Sequence, residues 1–313
     1  MKIFYLAKPT YGGWVTFTSH LVLSGKFPLF KISKKLEKSN RNFGYGVSYQ
    51  NVPVDLLKNF GKDVVIAAID KSGYFALDYV QDGATIIIHD PTELKEEVVK
   101  HLPRLKVICI RRTVQNLLKE KFGIDALFMY HPYSFPKCEK CLVEEKRSGG
   151  VSVSRIDFDK HTDIILDANE ILKEPIEIYG KANTLYVYHK LGLERFNKSY
   201  KGSFKKSFSS IADILHGKEF MVDMSVIKND GGGTQYTFLE AIHHGAVLIL
   251  NKGWFEIDSN KLIPGFNCLV AKNGEELADL IKNTDKLSLE KIKENAKLIL
   301  KEHEFNSFPE YEK

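Results

Sequence analysis

The sequence lacks the features that direct a protein out of the cytoplasm or into a membrane. Its longest apolar runs, such as residues 84–88 and 246–250, are far too short to span a bilayer. The stretch MKIFYLAKPT at its start has neither the long apolar segment nor the cleavage site of a signal peptide. Four cysteines are too few to build a disulfide framework in this chain. We therefore expect a cytoplasmic protein.

The cysteines also provide no predicted metal site. Cys138 and Cys141 form the only CxxC pair, and neither Cys109 nor Cys268 has a partner at that spacing. A zinc site built on this spacing needs a second pair. The segment around the pair is polar, with a proline before it and Gly-Gly after it. We interpret it as an exposed linker.

Standard nucleotide-binding motifs are missing as well. Residues 10–14, TYGGW, have the strand, glycine loop and helix order of a phosphate or sugar cradle, with Gly12 and Gly13 in the loop. This turn lacks the GxGxxG pattern, and it lacks the Lys and Ser/Thr of a P-loop. Those absences argue against a standard dinucleotide oxidoreductase and a P-loop NTPase. The histidines show no HExxH-like arrangement, so no metal is assigned to them.

The composition that is present is that of a globular protein with two domains. Hydrophobic residues make up 43% of the chain and charged residues 27%, as in ordinary globular proteins. A length of 313 residues is long for one hydrophobic core. The net charge of +5 permits a polyanionic partner without requiring one.

Short apolar runs alternate with polar or helical segments, which predicts mostly parallel sheets with helices on both faces. Residues 34–49 show no clear periodicity and are interpreted as a loop or arm. The pattern restarts at Gly149-Gly150, so we predict domains at 1–147 and 148–313, with ligands bound in the cleft between them at the carboxyl ends of strands. The candidate strands are 2–6, 27–32, 64–69, 84–88, 107–110, 151–154, 175–179, 220–224 and 246–250, and helical patterns include 113–121, 162–172 and 288–303.

Residues 229–250, NDGGGTQYTFLEAIHHGAVLIL, combine a glycine loop, an amphipathic helix and a strand. Glycines beside a helix start let backbone N–H groups approach a phosphate, and the helix dipole helps. Glu240 on this helix could accept hydrogen bonds from a ribose diol. A flexible turn followed by a solvated Glu240 explains the same pattern, and spacing alone leaves both interpretations open.

Arg155 and Lys160 lie between a predicted strand and a predicted helix. A guanidinium and an ammonium at this junction would bind a diphosphate and stabilise it as a leaving group without a metal. Taken alone, two surface cations on a loop are the simpler interpretation. Asp157 and Asp159 form a DxD, which could hold Mg²⁺ on a nucleotide. Because this DxD lies inside the Arg/Lys element, we interpret it as incidental.

His89 and Asp90 follow an apolar strand, where active-site residues of parallel sheets tend to project. Either side chain could be a general base, or Asp90 could orient and polarise His89. An Asp-Pro turn at a strand end is the structural alternative. The position favours the functional interpretation.

Together these elements resemble the GT-B glycosyltransferases. That resemblance implies an α/β fold of two Rossmann-like, doubly wound domains facing a central cleft. The first domain would bind the acceptor, and the second, with a C-terminal helix, would bind the nucleotide sugar. The matching motifs are Arg155 and Lys160 for the diphosphate clamp, Leu239-Glu240-Ala241 with Gly245 for the ribose-binding element, and Gly12-Gly13 for the N-terminal glycine loop. The donor site implied in this way also includes Gly233, Thr234, Gln235 and Tyr236.

The sequence departs from the family pattern at one position. Many retaining members carry a second Glu in the loop before the ribose-binding Glu, and Gly232 stands there instead. Asp230, Thr234 and Gln235 are then the candidates for contact with the transferred sugar. The identity of that sugar stays open.

A narrower resemblance concerns YTFLE at the ribose-binding element, IIIHDP and YGGWVTF. These segments are similar to the tailed-phage glycosyltransferases that modify 5-hydroxymethylcytosine in DNA. The resemblance implies that Asp90, or a His89–Asp90 pair, acts at the acceptor hydroxyl. A DNA acceptor needs a cationic surface and a pocket for a flipped base. The residues assigned to it are Trp14, Lys34, Lys35, Arg41, Tyr45, Arg111 and Arg112, with Lys31, Lys38, Phe43, Tyr49, Arg104 and Lys106 as further members. Without the resemblance, a solvated basic loop is favoured.

The hypothesis is transfer of glucose, or of a pentose such as arabinose, from a UDP-sugar to 5-hydroxymethylcytosine in double-stranded phage DNA. The enzyme would be a monomer without a membrane segment or obligatory cofactor; a divalent metal is compatible but not required. One alternative keeps the enzyme class and changes the acceptor to a cell-surface or lipid-linked glycan. Another is a nucleotide- or sugar-binding module without catalytic activity.

Overall fold

The chain divides into two compact units. The computed structural model describes residues 1–9, 12–33, 41–134, 146–204, 207–226, 234–256 and 261–311. The first unit, here called the N-unit, comprises Met1–Ser134 and His303–Lys313, and the second, the C-unit, comprises Phe135–Glu302. The division falls before the predicted boundary at 147/148, and the last residues of the chain group with the N-unit. The predicted CxxC lies outside the described residues.

The N-unit is built on an eight-stranded sheet with the order β3-β4-β2-β1-β5-β6-β7-β8. All neighbouring strands are parallel except the β3–β4 pair, which is antiparallel. Strand β5 is buried along its whole length, as expected for a parallel strand covered on both faces. The strands are β1 Lys2–Leu6, β2 Leu29–Ser33, β3 Arg41–Gly44, β4 Val47–Pro53, β5 Val64–Ile69, β6 Thr85–Ile88, β7 Lys106–Cys109 and β8 Leu127–Phe128, and the α-helices are α1 Gly13–Gly25, α2 Glu96–Val99 and α3 Arg112–Phe122.

The C-unit is built on a six-stranded, fully parallel sheet with the order β11-β10-β9-β12-β13-β14. Its apolar core joins the sheet to the helices on its faces. The strands are β9 Ser148–Val153, β10 Glu177–Tyr179, β11 Tyr200–Gly202, β12 Lys218–Asp223, β13 Val247–Asn251 and β14 Leu269–Ala271. The α-helices are α4 Thr162–Asn169, α5 Thr184–Tyr186, α6 Leu193–Ser199, α7 Phe208–Leu215, α8 Tyr236–His243, α9 Gly274–Asn283 and α10 Lys286–Glu302.

In each sheet, successive strands are first added on one side of the starting strand and then on the other. We call the position between these two sides the reversal point. In the N-unit the chain passes from β1 to β2 and then restarts on the other side at β5. In the C-unit it passes from β9 through β10 to β11 and restarts at β12. The loops that follow the two flanking strands diverge at such a point and leave a crevice. Topology alone therefore directs attention to the residues after β1 and β5, and to those after β9 and β12.

The predicted doubly wound α/β architecture is confirmed within each unit, but the interpretation of residues 34–49 as a loop or arm was wrong for the described part. Strands β3 and β4 form a hairpin there. The side chains of Phe43, Tyr45, Val47 and Tyr49 are all buried. Within β4, Val47 and Tyr49 show the alternation of a half-buried strand. Tyr45 lies in the turn between the two strands with a φ of 50°. Charged residues before the hairpin obscured this pattern.

The C-terminal segment packs onto the N-unit through hydrogen bonds and rings. The Tyr133 backbone N–H donates to the His303 carbonyl at 2.8 Å. The Phe308 ring stacks on Phe27 with centroids 5.9 Å apart. The Tyr311 hydroxyl donates to the Asp125 carbonyl at 2.6 Å. These contacts explain why the chain end belongs to the first unit.

No helix in the described part of the chain is long and apolar enough to cross a membrane.

Candidate functional site

The reversal point of the C-unit holds a buried cation. Lys160 follows β9, and only 7% of the residue is exposed. Its ammonium donates to the Ser225 hydroxyl, which follows β12, at 3.0 Å. Among the described residues no carboxylate forms an ion pair with this ammonium. The hydrogen bond that holds this buried ammonium is accepted by a neutral hydroxyl, so its charge can still attract an anionic ligand, and the crevice is a candidate anion site.

Two backbone contacts hold the crevice in shape. The Val226 N–H donates to the Asp159 carbonyl at 3.1 Å, which joins the segment after β12 to the turn that carries Lys160. The Lys160 N–H donates to the Asp157 carbonyl at 2.9 Å and closes that turn. The cation is thereby placed by two loops that are distant in sequence.

Arg155, the other residue of the predicted clamp, is placed differently. Its side chain is 61% exposed, and its guanidinium donates to Asp157 at 2.9 Å and to Asp159 at 3.0 Å. The DxD carboxylates are therefore bonded to a side chain of the same turn. A hydrogen bond from Asn183 lowers the pKa of Asp157 further. Arg155 would have to share or exchange these partners to hold a phosphate.

Helix α8 carries the predicted ribose-binding residue. Glu240 is 2% exposed, so it is not a solvated surface acid. At the start of the helix, Gln235 Nε2 and Thr237 Oγ1 are buried and have no hydrogen-bond partner among the described residues. Thr234 and Tyr236 are half-buried beside them. Gly233 lies outside the described residues. The helix start thus presents donors and acceptors suited to a polar ligand.

In the N-unit, His89 follows β6 and is buried. Its Nε2 lies 2.7 Å from the Ala67 carbonyl, to which it donates, and its ring packs edge-on against Phe17. Burial lowers the pKa of His89 to about 4. The side chain is therefore neutral near pH 7, and Asp90 does not hydrogen-bond to it. The predicted polarisation of His89 by Asp90 is not the arrangement observed.

Asp90 begins the short turn Pro91–Glu93 and caps it. Its Oδ1 accepts a hydrogen bond from the Thr92 N–H at 2.8 Å and another from the Thr92 hydroxyl. No hydrogen bond to its Oδ2 comes from the described residues. The side chain is half-buried. One oxygen of this carboxylate is thus fixed by the turn while the other is available to a substrate.

Glu93 forms a cluster with His89 and Asp90 after β6, and the sequence did not suggest it. It is 2% exposed, and its Oε2 accepts a hydrogen bond from the His89 N–H at 2.9 Å. Burial raises the pKa of Glu93 well above its usual value, and hydrogen bonds from the His89 backbone and the Trp14 indole oppose that shift only in part. Its only signal in the sequence is its place at the end of the Asp-Pro turn.

The residues predicted for the acceptor fall into three groups. Arg111 lies near the cluster: burial lowers the pKa of its guanidinium, and the charges of Asp90 and Glu93 oppose that shift only in part. Arg112 instead covers the Phe128 ring at 3.8 Å. Tyr45 is 7% exposed and contacts the His20 ring, so its predicted role as an exposed stacking group does not fit. Lys34, Lys35 and the Arg41 side chain lie outside the described part.

The reversal point of the N-unit contains a small pocket. Its volume is about 200 Å³, and residues after β1 and β5 line it together with Lys31 and Phe75. The Lys31 ammonium lies 5.5 Å from the centre of the Tyr5 ring. Gly12, at the start of α1, has a φ of 100° and leaves open space where a Cβ would be. A Cβ at Gly13 would also meet no atom of the described structure within 4 Å.

Comparisons with known proteins bear on the fold. No family model and no curated protein matches the chain. Among solved structures, an α-glucosyltransferase in complex with UDP and a 13-mer DNA containing an HMU base is 13% identical, with a TM-score of 0.69 and coverage of 96% of this chain and 95% of that one. The Anabaena protein HepE in complex with UDP-glucose is 14% identical, with a TM-score of 0.66 and 97% coverage of both chains. A glycosyltransferase from Rickettsia africae is 13% identical, with a TM-score of 0.63 and coverage of 96% and 93%.

These similarities define a fold class. The chain has the GT-B fold of two doubly wound α/β units, and the expectation drawn from the sequence is confirmed at that level.

The buried histidines predict acid sensitivity of the N-unit. Burial lowers the pKa of His20 to about 3 and that of His89 to about 4, from the usual 6.5. At each of these two positions the unfolded chain binds more protons than the folded one below pH 6.5, so the contribution of the histidine to stability falls as pH falls. The raised pKa of Glu93 acts in the opposite direction. Lowering the pH from 6.5 to 5.5 should cost roughly 1 kcal/mol per histidine, or about 2–4 °C in Tm.

Thermal unfolding followed by circular dichroism at both pH values measures this effect. Replacing His20 with Gln, which can still accept the hydrogen bond from the Ser134 N–H, should remove the contribution of His20, so the change in Tm between the two pH values should differ from that of the wild type by about 2–4 °C. Replacing the exposed His189 with Gln is the matched control and should change nothing. Equal changes in Tm for the wild type and His20→Gln would contradict the assigned burial of His20.

Proposed function

We propose that the protein is a glycosyltransferase that uses a UDP-sugar as donor. The observation that carries the proposal is the Lys160 ammonium, buried at the reversal point of the C-unit with a hydroxyl as its hydrogen-bond partner. A diphosphate would give this ammonium an anionic partner in direct contact. The GT-B fold and the buried Glu240 on α8 support the same conclusion, as do the UDP and UDP-glucose complexes of the fold neighbours.

In the proposed reaction the acceptor oxygen attacks the anomeric carbon of the donor sugar. The bond from that carbon to the β-phosphate oxygen breaks, and UDP leaves with the electron pair. Lys160, assisted by Arg155, stabilises the charge that develops on the diphosphate. Glu240 holds the ribose. Asp90, through its available Oδ2, accepts the proton of the attacking hydroxyl. A divalent metal is not required by this scheme.

We further propose that the acceptor is a hydroxymethyl group on a base of double-stranded DNA, with 5-hydroxymethylcytosine as the favoured base. Two fold neighbours that were solved with UDP bind a DNA containing an HMU base, and they cover nearly the whole chain. The half-buried Arg111 near Asp90 would lie at the acceptor hydroxyl in this scheme. The Arg112 guanidinium covers the Phe128 ring and would have to leave it to contact a phosphate. The pocket beside Lys31 is large enough for part of a flipped base.

The test incubates the protein with duplex DNA containing 5-hydroxymethylcytosine and a panel of UDP-sugars, followed by digestion and mass spectrometry of the nucleosides. A hexose or pentose mass addition is expected. Unmodified cytosine DNA is the control for the hydroxymethyl group, and Lys160→Met is the control for the donor site. A DNA gel shift with a salt titration measures the phosphate contacts separately.

A glycan acceptor is the second candidate, because structures without DNA resemble this chain equally well. The HepE complexes match 97% of both chains. On this alternative, the protein hydrolyses UDP-sugars slowly, leaves hydroxymethylcytosine DNA unchanged and shows no gel shift at moderate salt. If UDP neither binds nor is released, the glycosyltransferase proposal itself fails.

A further inference from the structure

A second buried polar group lies next to the Lys160–Ser225 pair. Asp223 is the last residue of β12 and is 3% exposed. Its Oδ1 accepts a hydrogen bond from the Ser225 N–H at 2.8 Å. Its Oδ2 is buried and has no hydrogen-bond partner among the described residues. A buried acceptor without a hydrogen bond destabilises the protein, and more so if it is charged, so we expect a donor from a ligand to occupy this position.

Asp223 is joined to the anion site through one residue. The Ser225 backbone N–H donates a hydrogen bond to Asp223, and the Ser225 hydroxyl oxygen accepts one from the Lys160 ammonium at 3.0 Å. Strands β9 and β12, which carry the two loops, pair directly through Val151 and Met221. The carboxylate oxygen and the ammonium therefore belong to a single crevice, at the reversal point of the sheet, where ligands of open α/β sheets bind.

The two groups select opposite partners. The Lys160 ammonium has donors only, so it binds an anion; the Asp223 carboxylate accepts, so it binds a hydroxyl or an N–H. A ligand that satisfies both carries a phosphate next to a hydroxyl group, as a sugar phosphate does. A metal ion fits less well, because the neighbouring ammonium would repel it and the described residues contain no cluster of three metal-ligating side chains.

We propose that Asp223 Oδ2 accepts a hydrogen bond from a hydroxyl group of the sugar attached to the diphosphate that Lys160 binds. Asp223 is then a residue that determines specificity for the donor sugar. This inference rests on the proposed function. Ser225 acts through Lys160 and Asp223 and is a positioning residue.

The test compares binding of UDP and of a UDP-sugar by calorimetry, without acceptor, for the wild type and for Asp223→Asn. The asparagine can still accept the Ser225 N–H through its amide oxygen, but it replaces the free acceptor with an NH₂ group. Affinity for the UDP-sugar should fall about 10- to 100-fold, the usual effect of losing a hydrogen bond to a charged group. Affinity for UDP should stay within about 3-fold, since UDP lacks the sugar.

Two controls separate the effect of the Asp223 carboxylate from general effects of the substitution. Asp279→Asn changes an exposed carboxylate of the same unit and should alter neither affinity. UDP-sugars lacking one hydroxyl each are titrated into the wild type, and the analogue without the contacted hydroxyl should lose the same 10- to 100-fold. That measurement needs no variant, so it holds even if Asp223→Asn folds poorly. For the contacted hydroxyl, variant and analogue losses should not add.

Equal losses for UDP and UDP-sugar would overturn the proposal, because Asp223 would then only hold the turn. Unchanged affinity for both ligands would overturn it as well, as would a wild type that is indifferent to every missing hydroxyl. These outcomes leave the proposed glycosyltransferase intact, since UDP still binds. A wild type that binds no UDP would contradict the proposed function and this inference together.

Discussion

Replacing Lys160 with methionine should lower kcat/KM for the UDP-sugar about 100- to 1,000-fold, or roughly 3–4 kcal/mol, the loss that follows removal of one preorganised group at a developing charge. Methionine keeps the length of the side chain and removes only the ammonium. Since the leaving diphosphate gains charge in the transition state, the loss should appear in kcat as well as in the affinity for UDP. Steady-state kinetics and UDP titration measure both quantities.

The same substitution should leave the free protein more stable. The Lys160 ammonium is buried against the Ser225 hydroxyl, and an apolar side chain of similar size avoids the cost of desolvating a charge. We expect the Tm to rise by a few degrees, corresponding to about 1 kcal/mol. UDP should raise the Tm of the wild type but not that of the variant. Loss of activity together with a lower Tm would instead show that Lys160 is a structural residue.

Arg155→Ala is the informative comparison. Its guanidinium is largely exposed and already bonded to Asp157 and Asp159. Surface ion pairs of this kind contribute little to stability, so the variant should fold normally. Its loss of kcat/KM should be smaller than that of the Lys160 variant. A larger loss would mean that Arg155 leaves both aspartates when the donor binds.

The candidate anion site shows which features of Lys160 could be predicted from the sequence. The position of Lys160 after a strand and before a helix follows from local patterns, because hydrophobic periodicity reports strands and helices. Its burial does not follow, since the partner Ser225 is 65 residues away in sequence. Only the order of the strands brings β9 beside β12. A pattern of neighbouring residues carries no information about such a contact.

The N-unit shows the complementary case. The sequence located His89 and Asp90 at a strand end, and both follow β6. One of the interpretations it left open was a direct interaction between the two, yet the His89 ring donates to Ala67 on the neighbouring strand β5, while Asp90 bonds within its own turn. Glu93 drew no attention because an acid in a polar turn is usually solvated. Its burial depends on α1 and on the neighbouring strands, which the turn itself does not encode.

Replacing Asp90 with asparagine should lower kcat about 100- to 10,000-fold, the range expected when a general base is removed. The amide oxygen can still accept the Thr92 N–H that now bonds to Oδ1, so the turn should keep its shape. The affinity for UDP, which the C-unit is proposed to bind, should stay within about 3-fold of the wild type. Single-turnover kinetics at saturating donor and acceptor isolate the chemical step.

His89 provides the contrast that decides between the two candidate bases. Its pKa is about 4. If His89 were the base, kcat/KM would rise with pH through about pH 4, and no second rise from a histidine would appear near pH 6.5. Because its Nε2 proton is held by the Ala67 carbonyl, His89→Gln should cost much less than Asp90→Asn while leaving UDP affinity unchanged. The reverse order of effects would transfer the proton acceptor from Asp90 to His89. If both variants keep nearly full kcat, neither residue takes the proton, and the remaining candidates are Glu93 of the same cluster and the departing diphosphate.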